Sequence, residues 1–192
     1  MIAIGIVGEI GSGKTYVSKV FENYGYGVFY ADKVVHDIYK KDKFINKKLS
    51  KIFKLSSKRV DLKYLTNLII KDPYRLSKLN KIIHPEVKKK LLHFIRKNKK
   101  KKLIVLDIPL LLETDFKYFA DILVFIEISN RRLIKFRNKR KIDIKLINVL
   151  KKFQIDKETK KNLSDFIISN TSSKLLKNQV KTIINKILLN DQ

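Results

Sequence analysis

The sequence predicts an α/β fold built on a parallel sheet flanked by helices, and three observations support this. Three candidate strands are uninterrupted apolar runs, as expected of strands buried on both faces of a parallel sheet. Candidate strands alternate with segments of helical periodicity, which favours right-handed strand–helix–strand units. The first strand, Ile2–Val7, leads directly into Gly-x-x-x-x-Gly-Lys-Thr at residues 8–15, and a helix-period run follows. The length of 192 residues suits one such domain.

The candidate elements follow in a regular order along the chain. The strands are predicted at Ile2–Val7, Val28–Tyr30, Leu103–Ile108, Ile122–Ile128 and Phe166–Ile168. Between Asp32 and Lys97 apolar residues recur at helical spacing, so we expect a helical insertion there. Insertions at the carboxyl edge of such sheets commonly shape the pocket for a second substrate. A helix capped by Ser129 and a last helix from near Thr171 or Ser172 complete the pattern.

The glycine-rich segment after the first strand has the composition of a phosphate-binding P-loop. Gly8, Gly11 and Gly13 allow backbone N–H groups to converge on a phosphate, and the following helix adds positive potential. Lys14 can then reach the β- and γ-phosphates, and the Thr15 hydroxyl can bind Mg²⁺. We therefore predict a nucleoside triphosphate site; the alternative is an ordinary glycine-rich turn between strand and helix.

Two aspartates follow predicted strands and belong at the same edge of the sheet. Asp32 follows the second strand, where a carboxylate can accept the proton of an attacking hydroxyl or help to hold Mg²⁺. Its alternative role is the N-cap of the next helix. Asp107 ends an apolar strand, the Walker-B arrangement that supports Mg²⁺, although a structural capping role is equally consistent with the sequence.

Other candidate residues are less specific when taken alone. Pro109 ends the third strand, the leucines after it can wall a pocket, and Glu113 is either a substrate contact or an exposed loop acid. His84-Pro85 stands between two helical segments, where a structural role is common because Pro suits a first helical turn. The cationic helix from Arg131 to Lys141 is either a solvated face or a source of charge for a transferring phosphoryl group. The candidates for stabilising the charge of that phosphoryl group are Arg132, Lys135, Lys139 and Arg140.

The composition excludes several classes of protein. Without cysteine the chain has no disulfide, thiolate metal site or cysteine nucleophile, and it lacks an uncharged apolar run long enough to span a membrane. These features lead us to expect a cytoplasmic enzyme, as a monomer or weak homo-oligomer. The net charge of +26 is spread along the whole chain, with its sharpest cluster at 97–102 in an expected turn. We therefore expect weak, salt-sensitive adhesion to polyanions and no specific nucleic-acid partner.

With these positions in place, the sequence resembles the dephospho-coenzyme A kinase family over nearly its whole length. Five landmarks of that family occur in order. They are the P-loop, Tyr-Ala-Asp at 30–32 where the family has Asp-Ala-Asp, His84-Pro85, Pro-Leu-Leu-x-Glu at 109–113, and Gln154 with Asp-Phe-Ile-Ile-Ser-Asn at 165–170. Many kinases share the P-loop, whereas the ordered set is much more specific.

The resemblance implies a P-loop kinase-like, five-stranded parallel sheet in a single domain. The nucleotide-binding core would comprise residues 1–31, 102–128 and 164–192. Residues 32–101 would form a helical, acceptor-binding insertion, and residues 129–150 a short lid. The implied reaction is ATP-dependent phosphorylation of the ribose 3′-hydroxyl of dephospho-coenzyme A, which gives coenzyme A and ADP in the last step of coenzyme A biosynthesis.

The resemblance also implies roles for individual residues. Asp32 falls on the family's catalytic base, with Lys14 as its catalytic partner and Mg²⁺ held by Thr15 and Asp107. The expected acceptor-binding residues are Asp32, His84, Pro109, Leu110 and Glu113. The expected ATP-binding residues are Gly8, Gly11, Ser12, Gly13, Lys14, Thr15, Tyr16, Lys139 and Arg140.

The sequence departs from the family pattern at three places. Glu9 replaces a glycine beside the phosphates, and Tyr30 replaces the first aspartate of the pair. The lid arginines fall on Lys135 and Lys139, although a shift of one residue brings in Arg140; lysine lacks the planar two-point grip of arginine. Alternatives are a kinase acting on a nucleoside monophosphate or sugar acid, a nucleotide-dependent nucleic-acid-binding protein, and an inactive relative.

Overall fold

The computed structural model describes residues 1–55, 60–139 and 143–189. In these ranges the strands form a five-stranded, all-parallel sheet in the order β2-β3-β1-β4-β5. The strands are β1 Ile2–Gly8, β2 Gly27–Tyr30, β3 Leu103–Asp107, β4 Ile122–Glu127 and β5 Phe166–Ser169. The predicted fold class is confirmed, and each predicted strand differs from the observed one by a single residue at one end.

Among the described residues, four α-helices lie between β2 and β3, and a 3-10 helix, Asp115–Phe119, lies between β3 and β4. The α-helices of the described residues are α1 Lys14–Asn23, α2 Ala31–Lys41, α3 Lys43–Phe53, α4 Leu62–Lys71, α5 Tyr74–Lys97, α6 Asn130–Lys139, α7 Ile144–Lys151, α8 Lys157–Asn162 and α9 Ser173–Leu189. In the part of the chain that the structure describes, no helix is both long and apolar enough to cross a membrane.

One expectation about the insertion is wrong, because α5 runs unbroken through His84-Pro85. Proline within a helix removes a backbone hydrogen bond and crowds the carbonyl four residues earlier, which usually ends or kinks the helix. Here the apolar stripe continues on both sides of the proline, with Ile83 and Val87 buried in the same hydrophobic cluster. Tertiary packing therefore outweighs the local preference for a helix boundary.

The core lies on both faces of the sheet. On one face, Ile4 and Ile6 of β1 pack with Phe21 of α1 and Val180 of α9. On the other face, Ala3 and Val7 belong to a larger cluster, which includes residues of α2 to α5 and part of α7. Side chains of one strand alternate between the two faces, so burial on both sides explains the uninterrupted apolar runs.

The strand order gathers three functional segments at one edge. β1 lies beside β3, and β3 pairs with β2 so that Tyr30 is opposite Asp107. Because all three strands are parallel, their carboxyl ends meet at the same edge, as is usual for ligand sites in open α/β sheets. The P-loop, Asp32 and Asp107 consequently converge there.

Candidate active site

The P-loop has the backbone conformation that its glycines allow. Gly11 and Gly13 have φ angles of +86° and +99°, in the left-handed region that strongly favours glycine. Gly13 directly precedes α1 and serves as its N-cap. Asn170, which follows β5, donates a 2.7 Å hydrogen bond from its side-chain amide to the Ser12 carbonyl oxygen. Asn170, at the end of β5, thus supports the loop that follows β1.

Lys14 turns its ammonium group into the loop. Its Nζ donates hydrogen bonds of 3.0 Å to the carbonyl oxygens of Gly8 and Glu9. Burial lowers the pKa of the ammonium to about 8, although the charges of Asp107, Asp32 and Glu113 oppose that effect; Lys160 adds to it. The lysine therefore lies among acidic groups yet loses its proton more readily than a solvated lysine does.

The lowered pKa of Lys14 predicts a pH dependence of ATP affinity. ATP binding is favoured by the protonated ammonium, which predominates below pH 8 and is lost as the pH rises through the pKa of about 8. We expect the dissociation constant of ATP, measured by calorimetry from pH 7 to 9.5, to increase across this range. In Lys14→Ala the same alkaline increase should be absent. An unchanged dissociation constant in the wild type would contradict the prediction.

The two predicted carboxylates lie in different environments at the edge of the sheet. Asp107 is 6% exposed, and burial raises the pKa of its carboxyl, while hydrogen bonding with Thr15 and the charge of Lys14 oppose that rise. Asp32 lies in the first turn of α2, and Tyr30 occupies the N-cap position, so the alternative role of Asp32 as N-cap is wrong. Loss of hydration raises the pKa of Asp32, and the charge of Lys14 counteracts this. A raised pKa makes Asp32 a stronger base than a free carboxylate.

Thr15 and Asp107 together provide oxygen ligands of the kind that Mg²⁺ prefers. The Thr15 side chain helps to lower the pKa of the Asp107 carboxyl, and both residues line the same cavity as Lys14. Mg²⁺ is commonly bound through one or two protein oxygens together with water and substrate phosphates. The residues present therefore fit a magnesium ion shared with a nucleotide.

A central cavity of about 390 Å³ contains most of the predicted catalytic residues. Its lining consists of Ile10, Gly11, Gly13, Lys14, Thr15, Asp32, Asp107, Pro109, Leu110, Leu150 and Gln154. An outer cavity of about 500 Å³ adjoins it through Gly13. The outer cavity is lined by Gly13, Tyr16, Arg132, Phe136, Lys139, Asn170, Thr171 and Ser173, a mixture of aromatic, cationic and amide groups.

Two further cavities continue from the central cavity along α5. The first, the α5 cavity, has about 140 Å³ and shares Asp32, Pro109 and Leu110 with the central cavity. The second, the distal cavity, has about 450 Å³ and shares His84 and Phe116 with the α5 cavity. Asp32 therefore lies where the central cavity, which the P-loop lines, meets the groove along the helical insertion.

His84 lies between the α5 cavity and the distal cavity. Its ring contacts Phe116 edge to face, with ring centroids 5.5 Å apart. Burial lowers the pKa of the imidazole, and the charge of Asp115 opposes this. The balance favours a neutral ring, which can donate or accept a hydrogen bond in the groove. Lys81 and Lys88 extend the distal cavity with positive charge.

The α6 helix meets the P-loop through a residue that the sequence analysis did not select. Arg137 donates a 2.9 Å hydrogen bond from Nε to the carbonyl oxygen of Ile10, and its terminal nitrogen lies 4.0 Å from the Glu9 carboxylate. Among the described residues, that buried nitrogen has no hydrogen-bond partner.

The four cations that the sequence analysis selected lie in different places. Arg132 and Lys139 line the outer cavity, Lys135 is exposed, and Arg140 lies outside the described residues.

Glu113 has two partners within the protein. Its carboxylate accepts a 3.0 Å hydrogen bond from the backbone N–H of Ile155 and forms a 2.7 Å ion pair with Lys160. The side chains of Glu113 and Lys160 are 9% and 3% exposed. Glu113 is not among the described residues that line the cavities, so nothing here supports a direct acceptor contact. Lys160 was missed because one lysine in so basic a sequence carries no signal.

Tyr30, which replaces an acidic residue of the family pattern, has its own partners. Its hydroxyl donates a 2.9 Å hydrogen bond to a Glu22 carboxylate oxygen, and the Lys33 ammonium lies 4.0 Å from the ring centroid. Burial together with Glu22 raises the pKa of the phenol well above its usual value. The position therefore contributes a neutral phenol beside α2 in place of a second carboxylate.

The parallel sheet, the P-loop with its inward lysine and the aspartate facing an adjoining groove define a P-loop kinase of small molecules. Comparison with known proteins narrows this class. The family model for dephospho-CoA kinase matches residues 2–175. The chain belongs to the dephospho-CoA kinase family.

Individual relatives agree with this assignment over the full length of the chain. Dephospho-CoA kinase of Wolbachia pipientis wMel is 36% identical over 192 residues, covering 97% of this chain and 98% of the relative. Among solved structures, TT1252 from Thermus thermophilus has a TM-score of 0.84 at 24% identity, with 97% of each chain covered. Dephospho-CoA kinase from Campylobacter jejuni has a TM-score of 0.70 at 22% identity, covering 99% of this chain and 98% of its own. These two structures support the fold.

Proposed function

We propose that the protein transfers the γ-phosphoryl group of ATP to the ribose 3′-hydroxyl of dephospho-CoA, giving CoA and ADP. Membership of the family supports the substrates, and one structural observation carries the chemistry. Asp32 lines both the cavity that holds Lys14 and the α5 cavity. A carboxylate at this junction is within reach of both a phosphate on the P-loop and a hydroxyl in the groove.

The nucleotide would occupy the outer and central cavities. Phe136 and Tyr16 offer aromatic surfaces for the base in the outer cavity, and Arg132 and Lys139 supply positive charge. The P-loop amides and Lys14 would hold the β- and γ-phosphates, and Lys14 would exchange its carbonyl partners Gly8 and Glu9 for phosphate oxygens. Arg137 already contacts the loop, and its terminal nitrogen, which lies 4.0 Å from the Glu9 carboxylate without a hydrogen bond among the described residues, would donate to the same phosphates.

The acceptor would lie along the helical insertion of residues 32–101. Its ribose would enter the α5 cavity beside Asp32, walled by Pro109 and Leu110, and its remaining length would continue past His84 into the distal cavity. The distal cavity contains Lys81 and Lys88, which suit the pyrophosphate of an elongated acceptor. The groove thus favours an acceptor longer than a nucleoside monophosphate.

Catalysis would depend mainly on positioning and on charge. Asp32 would orient the 3′-hydroxyl in line with the γ-phosphorus and take its proton as the new O–P bond forms and the bond to ADP breaks. Mg²⁺, held by Thr15 and Asp107 with the phosphate oxygens, would neutralise charge on the β- and γ-phosphates. The segment 129–150, which contains α6 and α7, would act as a lid whose cations stabilise the transferring group and whose closure excludes water.

The direct test is ADP formation by purified protein with Mg-ATP and a panel of acceptors. We expect dephospho-CoA to stimulate ADP release with stoichiometric formation of CoA, identified by mass spectrometry. AMP, CMP, shikimate and the reaction without acceptor are the comparisons. Stimulation by a nucleoside monophosphate or a sugar acid, with none by dephospho-CoA, would overturn the proposed function.

A further inference from the structure

The ion pair between Glu113 and Lys160 is unusually well buried for so basic a protein. The two side chains are only 9% and 3% exposed, and the nitrogen–oxygen distance is 2.7 Å. Lysine and glutamate are rarely buried unless they are paired, because removing a charge from water is costly. A pair of this kind usually contributes little net stability, whereas removal of one partner leaves an uncompensated charge. Net stability therefore does not explain why this ion pair lies in the interior.

The pair joins two segments that lie far apart in the sequence. Glu113 lies in the turn at 109–114, where the Thr114 hydroxyl donates a 2.7 Å hydrogen bond to the Leu110 carbonyl oxygen. The same Glu113 oxygen that meets Lys160 accepts the N–H of Ile155. The carboxylate thus fixes the turn at 109–114 to the segment that links α7 and α8.

Both of these segments form walls of the central cavity. Pro109 and Leu110 line it on one side, and Gln154, the neighbour of Ile155, also lines it. Pro109 and Leu110 continue into the α5 cavity, whereas neither Glu113 nor Lys160 is among the described residues lining either cavity. The pair consequently lies behind the walls and acts on them through the backbone.

We propose that Glu113 and Lys160 form a positioning pair that fixes the acceptor wall, Pro109–Leu110, relative to Gln154 and so sets the affinity for the acceptor. The role in acceptor affinity rests on the proposed function. The pair does not line the cavity; it acts on the geometry of the site, and its two charges have opposite effects on the pKa of Lys14, which Lys160 lowers and Glu113 raises. A loosened wall widens the acceptor groove, while the P-loop keeps its separate support from Asn170.

Steady-state kinetics of Lys160→Met and Lys160→Arg test the proposal, with Lys161→Met as the matched control. Lys161 is the next residue of α8 and also forms a 2.7 Å ion pair, with Glu127, but it is 33% exposed. We expect Lys160→Met to raise the KM for dephospho-CoA roughly tenfold or more, and to change the ATP dissociation constant by a clearly smaller factor, because the charge of Lys160 also acts on Lys14. Lys160→Arg should restore most of the acceptor affinity, and Lys161→Met should behave as the wild type.

Amide hydrogen exchange provides a measurement that does not depend on activity. In Lys160→Met we expect faster exchange at Ile155 and in residues 110–114, with unchanged exchange in β1 and α1. The double variant Glu113→Leu/Lys160→Met, which leaves no unpaired charge, keeps the test informative when the single variant is unstable. Because the two residues act as a unit, its acceptor KM should equal that of the single variant within about twofold.

The outcomes separate this proposal from the proposed function. An unchanged acceptor KM in folded Lys160→Met, an equal loss of ATP and acceptor affinity, or unchanged exchange in the two segments would overturn the positioning role. A wild-type protein that ignores dephospho-CoA would overturn the proposed function instead. In that case the exchange at Ile155 and residues 110–114 still decides whether the pair fixes the position of the wall.

Discussion

Replacement of Asp32 by Asn is expected to lower kcat by about 10²- to 10⁴-fold, the usual contribution of general acid–base catalysis. Asn keeps the size of the side chain and can still accept a hydrogen bond from the acceptor hydroxyl, but it cannot take up the proton. ATP affinity should stay within about threefold of the wild-type value, because in the proposed function the P-loop and Lys14, and not Asp32, hold the phosphates. Coupled ADP release measures kcat, and calorimetric titration with ATP measures affinity.

Two variants make this expectation specific to Asp32. Asp37→Asn removes a carboxylate from the same helix that is 58% exposed and paired with Lys41, and it should leave kcat unchanged. Lys14→Ala should weaken ATP binding and turnover together, since the proposed function has Lys14 contact the phosphates both before and during transfer. A near-normal kcat for Asp32→Asn would move the role of base elsewhere, first to Asp107, which lines the same cavity.

The parts of the fold that could be predicted are those with a local signal. Buried parallel strands occur in the sequence as continuous apolar runs. The P-loop needs its glycines and its lysine at fixed spacing within eight residues. Parallel pairing then places Asp32 and Asp107 at one edge, so their convergence follows from topology alone. The sequence and the family resemblance together were therefore sufficient for the sheet and for the group of residues around Lys14.

The features that could not be predicted depend on contacts between distant segments. Nothing near Pro85 indicates that packing on both sides keeps α5 continuous, and local propensity argues for a break. Arg137 lies in a helix of many cations, and only the docking of α6 on the P-loop distinguishes it from its neighbours. The partners of Glu113 could not be predicted because they lie 42 and 47 residues further along the chain, at Ile155 and Lys160.

Replacement of Gly13 by Ala is expected to weaken ATP binding by on the order of 100-fold, which corresponds to about 2.8 kcal/mol. At Gly13 the φ angle is +99°, and an added methyl group would clash with the side-chain amide nitrogen of Asn170. That amide supports the loop through the Ser12 carbonyl oxygen. The methyl group would therefore displace both the loop and its support, and the backbone N–H groups would no longer converge on the phosphates. ATP titration by calorimetry measures the loss.

Gly25→Ala separates the effect of the clash from the effect of backbone strain. Gly25 has a similar φ of +88°, but nothing lies within 4 Å of the position that a methyl group would take. Both variants bear the cost of the left-handed conformation, about 1–2 kcal/mol, which lowers the free energy of unfolding. Only Gly13→Ala adds the collision with Asn170, so only it should lose ATP affinity. Equal ATP affinities for the two variants would mean that the Asn170 side chain moves aside and that the loop keeps its conformation without this contact.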